Sequence, residues 1–139
     1  MTRGAVGLLA ALSVVPPSFA SERTKGERPK LELRASPRLG FSPLDVLFTL
    51  ELKGGDDLEQ YYCPELEWEW DDGGKSKRGG DCDPYEPGTK IERRFTASHR
   101  YLRAGVYEVQ VWLLRSDRRF AHVSTRVTVR PGLTDPSQF

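Results

Sequence analysis

The stretch "LEWEWDDGG", Leu66–Gly74, decides how the chain is read. Leu66, Trp68 and Trp70 alternate with Glu67 and Glu69, the period of two that belongs to a strand with one dry face and one wet face. Asp71, Asp72, Gly73 and Gly74 then end the alternation with the residue types that turns demand. The segment predicts a strand that reaches a sheet corner, bends the chain between two layers and keeps its glutamates in solvent. On its inward face the tryptophans fill the space between sheets about 10 Å apart.

The same period runs outward from there in both directions. "KLELRA" sets Leu31, Leu33 and Ala35 on one face, and "DVLFTLELK" does so with Val46, Phe48, Leu50 and Leu52. "GVYEVQVWLL" gives Tyr107, Val109, Val111 and Leu113, and "RFAHVSTRVTV" gives Ala121, Val123, Val127 and Val129. "KIERRFTA" turns Ile91 and Phe95 inward but puts Arg93 on the same face, so Arg93 belongs near an edge or reaches for water. No segment holds a helical period. About seven short antiparallel strands within residues 31–130 predict an all-β fold, a two-sheet sandwich on an immunoglobulin-like plan.

The ends read differently. Arg3, the apolar run "AVGLLAALSVV" and the small residues of "SFA" predict a signal peptide over residues 1–20, cleaved after Ala20, with an uncleaved anchor as the alternative. The run is too short to span a bilayer, which takes about 20 residues. Residues 21–30 and 131–139 are polar and predict a flexible lead and a flexible tail. Removing the first segment takes Arg3 from 21 basic residues and nothing from 20 acidic ones, so the remainder is neutral. That balance argues against a nucleic-acid groove or an anionic membrane surface as partner.

Cys63 and Cys82 are the two cysteines of a chain expected to be secreted or periplasmic, and they predict a disulfide. Closing a loop of about 20 residues stabilises on the order of 3 kcal/mol in the chain-entropy picture. Zinc is the competing reading, but C-x-x-C is absent and His99 and His122 lie far along the chain.

Three pieces follow one another in order: "FSPLDVLFTL" from Phe41, "WEWDDG" from Trp68, and "HRYLRAGVYEVQV" from His99. Together they resemble the PKD (polycystic kidney disease) domain, an extracellular β-sandwich module. Its members carry a proline-led first turn and strand, a W-x-F-G-D-G corner and an H-x-Y…G-x-Y-x-V segment. The likeness runs over roughly residues 36–130. It implies structural roles for Trp68, Trp70, Gly73, His99, Tyr101, Gly105 and Tyr107, and protein or carbohydrate contacts at a cell surface or in an envelope. Tyr101 is expected to make the corner hydrogen bond of such sandwiches, and Gly105 to release the chain into the next strand. Two departures stand out. Asp71 replaces a glycine and must adopt a left-handed backbone or force a different turn. Residues 74–88, "GKSKRGGDCDPYEPG", form an added loop in which Cys82 ties back to Cys63.

Several chemical readings compete for the acids. Glu67 and Glu69 share a strand face at roughly 7 Å, which overlaps the carboxylate separation of inverting glycosidases. A small secreted glycoside hydrolase is therefore one alternative function. An outward sheet face, however, is flat and wet, and a cross-strand partner such as Arg126 is expected there. Asp71, Asp72, Asp81 and Asp83, with Glu86 nearby, could gather oxygen ligands for calcium, although EF-hand spacing is absent. "GGKS" from Gly73 fails as a phosphate loop, since Glu69 stands where a glycine is required. Ser98 and His99 are neighbours without G-x-S-x-G.

The outward pattern of the last strands leaves Val106, Trp112, Phe120 and His122 exposed beside Glu67, Glu69 and Glu108. Grouped surface aromatics of this kind mark a partner or carbohydrate surface. The expected function is a non-catalytic binding module, without a cofactor beyond calcium. A structural accessory subunit of an envelope complex, pairing through a strand edge, is the remaining alternative.

Overall fold

The computed structural model describes residues 2–17 and 26–135. Eight strands follow in order: β1 (Lys30–Ser36), β2 (Leu39–Phe41), β3 (Leu44–Lys53), β4 (Glu65–Glu69), β5 (Lys75–Gly79), β6 (Arg94–Tyr101), β7 (Gly105–Arg115) and β8 (Arg118–Arg130). A short 3-10 turn, Glu59–Tyr61, precedes β4. The fold is all-β in two sheets, one ordered β1-β3-β6 and the other β2-β8-β7-β4-β5. Every neighbouring pair is antiparallel except β2, which runs parallel to β8.

Alternation explains how the sheets face each other. Val46, Phe48, Leu50 and Leu52 of β3 are buried, and so are Leu66 and Trp68 of β4, Val109, Val111 and Leu113 of β7, and Val127 and Val129 of β8. They form one cluster between the layers. Each fully buried aliphatic side chain contributes about 1.5–3 kcal/mol, so the inward rows dominate stability. Trp68 at 1% exposure and Tyr101 at 0% are the largest residues wholly enclosed.

Local departures from the sequence reading have physical causes. Residues 74–88 are not simply a loop: Lys75–Gly79 fold back as β5 along β4, pairing Glu69 with Lys75 and Glu65 with Gly79. The tryptophan-and-acid segment is thus one arm of a hairpin within a single sheet, not a bend between layers. Asp71 does adopt the left-handed backbone, at φ 65°, and Gly73 follows at φ 89°. The β6 strand begins only at Arg94, because Arg93 turns to the edge of β3 and donates to the carbonyls of Leu52, Gly54 and Gly55 and to Asp57.

The two ends behave differently. Residues 2–17 carry no helix or strand, and among the described residues no helix is long and apolar enough to cross a membrane. The expected cleavage point after Ala20 and half of the expected lead, residues 21–25, lie outside the described residues; of the other half, Glu27 exchanges hydrogen bonds with Asp56 and Lys30 opens β1. Of the expected tail, residues 131–135 are tied down at their end. Asp135 is wholly buried, where its carboxylate accepts hydrogen bonds from the Ser42 hydroxyl and, at 2.6 Å, from the Ala104 amide. The polar composition that predicts a loose tail also supplied its anchor.

Candidate functional site

The sequence-predicted residues fall into three groups along β4. At the far end of the strand, the motif aromatics build a continuous column. Trp68 stacks on Trp70 at 5.1 Å, and Trp70 on His99 at 4.5 Å, nearly parallel in each case. His99 meets the edge of Tyr101, which stacks on Tyr107 at 4.3 Å. Strand alternation places these rings inward on β4, β6 and β7, so three strands from two sheets supply one column.

Hydrogen bonds lock the column. The buried Tyr101 hydroxyl donates to the Trp70 carbonyl at 2.9 Å, tying the end of β6 to the end of β4 across the two sheets. The local corner bond expected of Tyr101 belongs instead to Tyr107, whose hydroxyl donates to the Arg103 carbonyl four residues earlier. Asp71 accepts from the Glu108 amide at 2.9 Å. Asp72 sits 2.6 Å from His99 Nε2 and also accepts from the Gly74 amide. Burial by itself would raise the Asp72 pKa, but the bonds from His99 and Gly74 outweigh it and hold the carboxyl below the usual carboxylate range. Burial pushes the Tyr101 phenol up, which keeps it protonated as a donor.

These engagements bear on calcium. Asp71 and Asp72 lie at the turn between β4 and β5, whereas Asp81 and Asp83 lie past the other end of β5, roughly 17 Å away along a five-residue strand. The four aspartates are not brought together, and among the described residues no three His, Cys, Asp or Glu side chains converge.

The second group occupies the outer face of the five-stranded sheet. Register aligns Lys77, Glu67, Trp112 and His122 in one row across β5, β4, β7 and β8. Trp112 stacks on His122 at 4.3 Å, and the Arg119 guanidinium lies 4.4 Å from the centre of the Trp112 ring. The same arginine holds Glu67 and, at 3.0 Å, Glu69. The carboxylates expected in open solvent are therefore engaged, and the Glu67 side chain is only 18% exposed. Lys75 adds a second, looser partner for Glu69. Arg126 is not their partner: it stands opposite Glu108, two rows away. Trp112 is half-buried, and its indole N–H is enclosed without a hydrogen-bond partner.

Arg119 escaped the sequence reading for a specific reason. The β7–β8 register shifts between Leu113 and Leu114, a bulge that puts Arg119 opposite Leu114. One extra residue breaks strict alternation. Phe120, expected outward with His122, packs edge-on against the buried Tyr61 at 5.3 Å and joins the core margin instead. Val106 does face solvent, at 61% exposure, and the register sets it in line with Thr128 and the exposed Leu39 of β2.

The third group is the disulfide at the near end of β4. Cys63 and Cys82 are bonded, with Cα atoms 6.1 Å apart. Tyr62 fixes the returning chain by donating to the Asp83 carbonyl and by packing edge-on against Tyr85. A disulfide of this kind suits an oxidising compartment.

No family model matches the chain, and no curated protein matches it. Among solved structures it is similar to a superoxide reductase (neelaredoxin) from Ignicoccus hospitalis, at 12% identity and a TM-score of 0.41, over 80% of this chain and 86% of that one.

Proposed function

We propose that the chain is a secreted or periplasmic, non-catalytic binding module with an immunoglobulin-like sandwich of the PKD type, contacting protein or carbohydrate through the outer face of its five-stranded sheet. The observation that carries this reading is the Trp112–His122 stack on that face, with the Arg119 guanidinium lying over the indole. A planar aromatic pair set in a sheet face offers a stacking platform, and an arginine over it is a cover that a ligand can displace. Leu39, Phe41 and Val106 extend the same face with exposed apolar surface.

The PKD likeness is supported by the way its motif residues pack: Trp68, Trp70, His99, Tyr101 and Tyr107 form a single column. The disulfide and the apolar leader favour export. The hydrolase reading finds less support, because Glu67 and Glu69 are both held by one arginine on an outer sheet face. Edge pairing finds less support at the lysine-bearing β5 and the three-residue β2, the two edges of the five-stranded sheet.

The test is retention of the mature protein on immobilised cell-wall glycans and on envelope proteins, with Trp112→Ala as the variant. Loss of retention with an unchanged melting temperature is the expected result. Equal retention by the two proteins would remove the Trp112 face from the function.

A further inference from the structure

A cleft lies away from the outer face. Between β5, the edge of the five-stranded sheet, and β6, the edge of the three-stranded sheet, the sandwich is open and leaves a cleft of about 560 Å³. That size falls within the roughly 300–1,000 Å³ of small-molecule sites. Tyr62 and Phe95 give it an accessible apolar lining above the buried Leu66 and Trp68, and the Cys63–Cys82 disulfide walls one end.

Charged side chains also rim this cleft. Arg78, Lys90 and Arg94 line it, and no ion pair ties them to a carboxylate among the described residues, as holds also for Lys30, Arg38, Arg103, Arg126 and Arg130 elsewhere on the surface. Asp81 and Glu92 also reach the cleft, and neither is paired with these cations. The lining therefore keeps one excess positive charge, with an arginine contributed by the edge strand of each sheet. Guanidinium groups bind carboxylates with two parallel hydrogen bonds, and an adjacent apolar surface strengthens such bonds by excluding water.

We propose that this cleft binds a small amphipathic anion, with an apolar body against Tyr62 and Phe95 and a carboxylate head held by Arg78 and Arg94 with Lys90 beside them. The ligand enters from the open side of the sandwich without separating the sheets, since both flanking strands are edges. The site is independent of the Trp112 face, and either can fail alone.

The probes are octanoate and 1-octanol, which share a chain and differ in the head. Amide and indole NMR shifts are followed in the disulfide-intact protein. Octanoate is expected to shift Gly79, Gly80, Phe95 and the Trp68 indole, and to bind about tenfold more tightly than octanol, as loss of a charge-assisted head contact implies. The variant Arg78→Ala/Lys90→Ala/Arg94→Ala should weaken octanoate by about tenfold or more and leave octanol unaffected. If the triple variant does not give a folded spectrum, Arg94→Gln alone should still weaken octanoate measurably. Equal binding of octanoate and octanol overturns the proposal. So do shifts that map elsewhere, or an octanoate affinity unaltered by the variants.

Discussion

The two ends of β4 are held by different means. At the Trp70 end, five rings in contact are locked by a buried tyrosine hydroxyl and two hydrogen-bonded aspartates. At the Pro64 end, a disulfide and the Tyr62 contacts to Asp83 and Tyr85 secure the chain beside an open cleft. The contrast teaches that a cluster of acids need not be the reactive part of a molecule. Here the acid-rich end is closed by its own contacts, and the less conspicuous end borders the open cleft.

The sharpest way to break the closed end is Trp68→Ala. Removing a wholly buried indole costs about 3–5 kcal/mol, so urea unfolding should show a large loss of midpoint with the slope retained. Next comes the open end: Cys63→Ala/Cys82→Ala should cost on the order of 3 kcal/mol. Amide exchange should rise first across residues 80–88, while the ring column stays protected. Tyr101→Phe is a finer probe of the closed end. It leaves the Trp70 carbonyl buried without its donor, for about 1–3 kcal/mol. Arg119→Ala touches neither end and should move the melting temperature by about 2 °C or less. It uncovers the Trp112 ring, so acrylamide should quench tryptophan fluorescence more strongly than in the wild type.

How much of this was legible in the sequence depended on whether alternation persisted. The inward rows of β3, β4 and β7 read directly from period two, and the disulfide read from two cysteines in a chain expected to be exported. Alternation was misleading where a single residue was inserted: the bulge opposite Leu113 and Leu114 reversed Phe120 and brought Arg119 onto the glutamates. The β5 strand was hidden because "KSKRG" has no apolar partner for its period and forms by pairing to β4 alone. The β7–β8 turn uses Ser116 and Asp117, both at positive φ, without the Asn-Gly signal that such hairpins usually carry. Which aspartates meet which partners was set by the hairpin, and no spacing rule carries that information.

The claim that the acids of the Trp70 end lock the fold is tested most directly by urea unfolding of Asp72→Asn against the wild type as a function of pH. The folded carboxyl titrates below its ordinary value of 3.8, so its contribution is present at neutral pH and disappears as pH falls through the lowered folded pKa. The variant should be less stable by about 1 kcal/mol at pH 7, and the gap should close in strong acid. Equal stability of the two proteins at pH 7, or a gap that persists unchanged into strong acid, would contradict the lock.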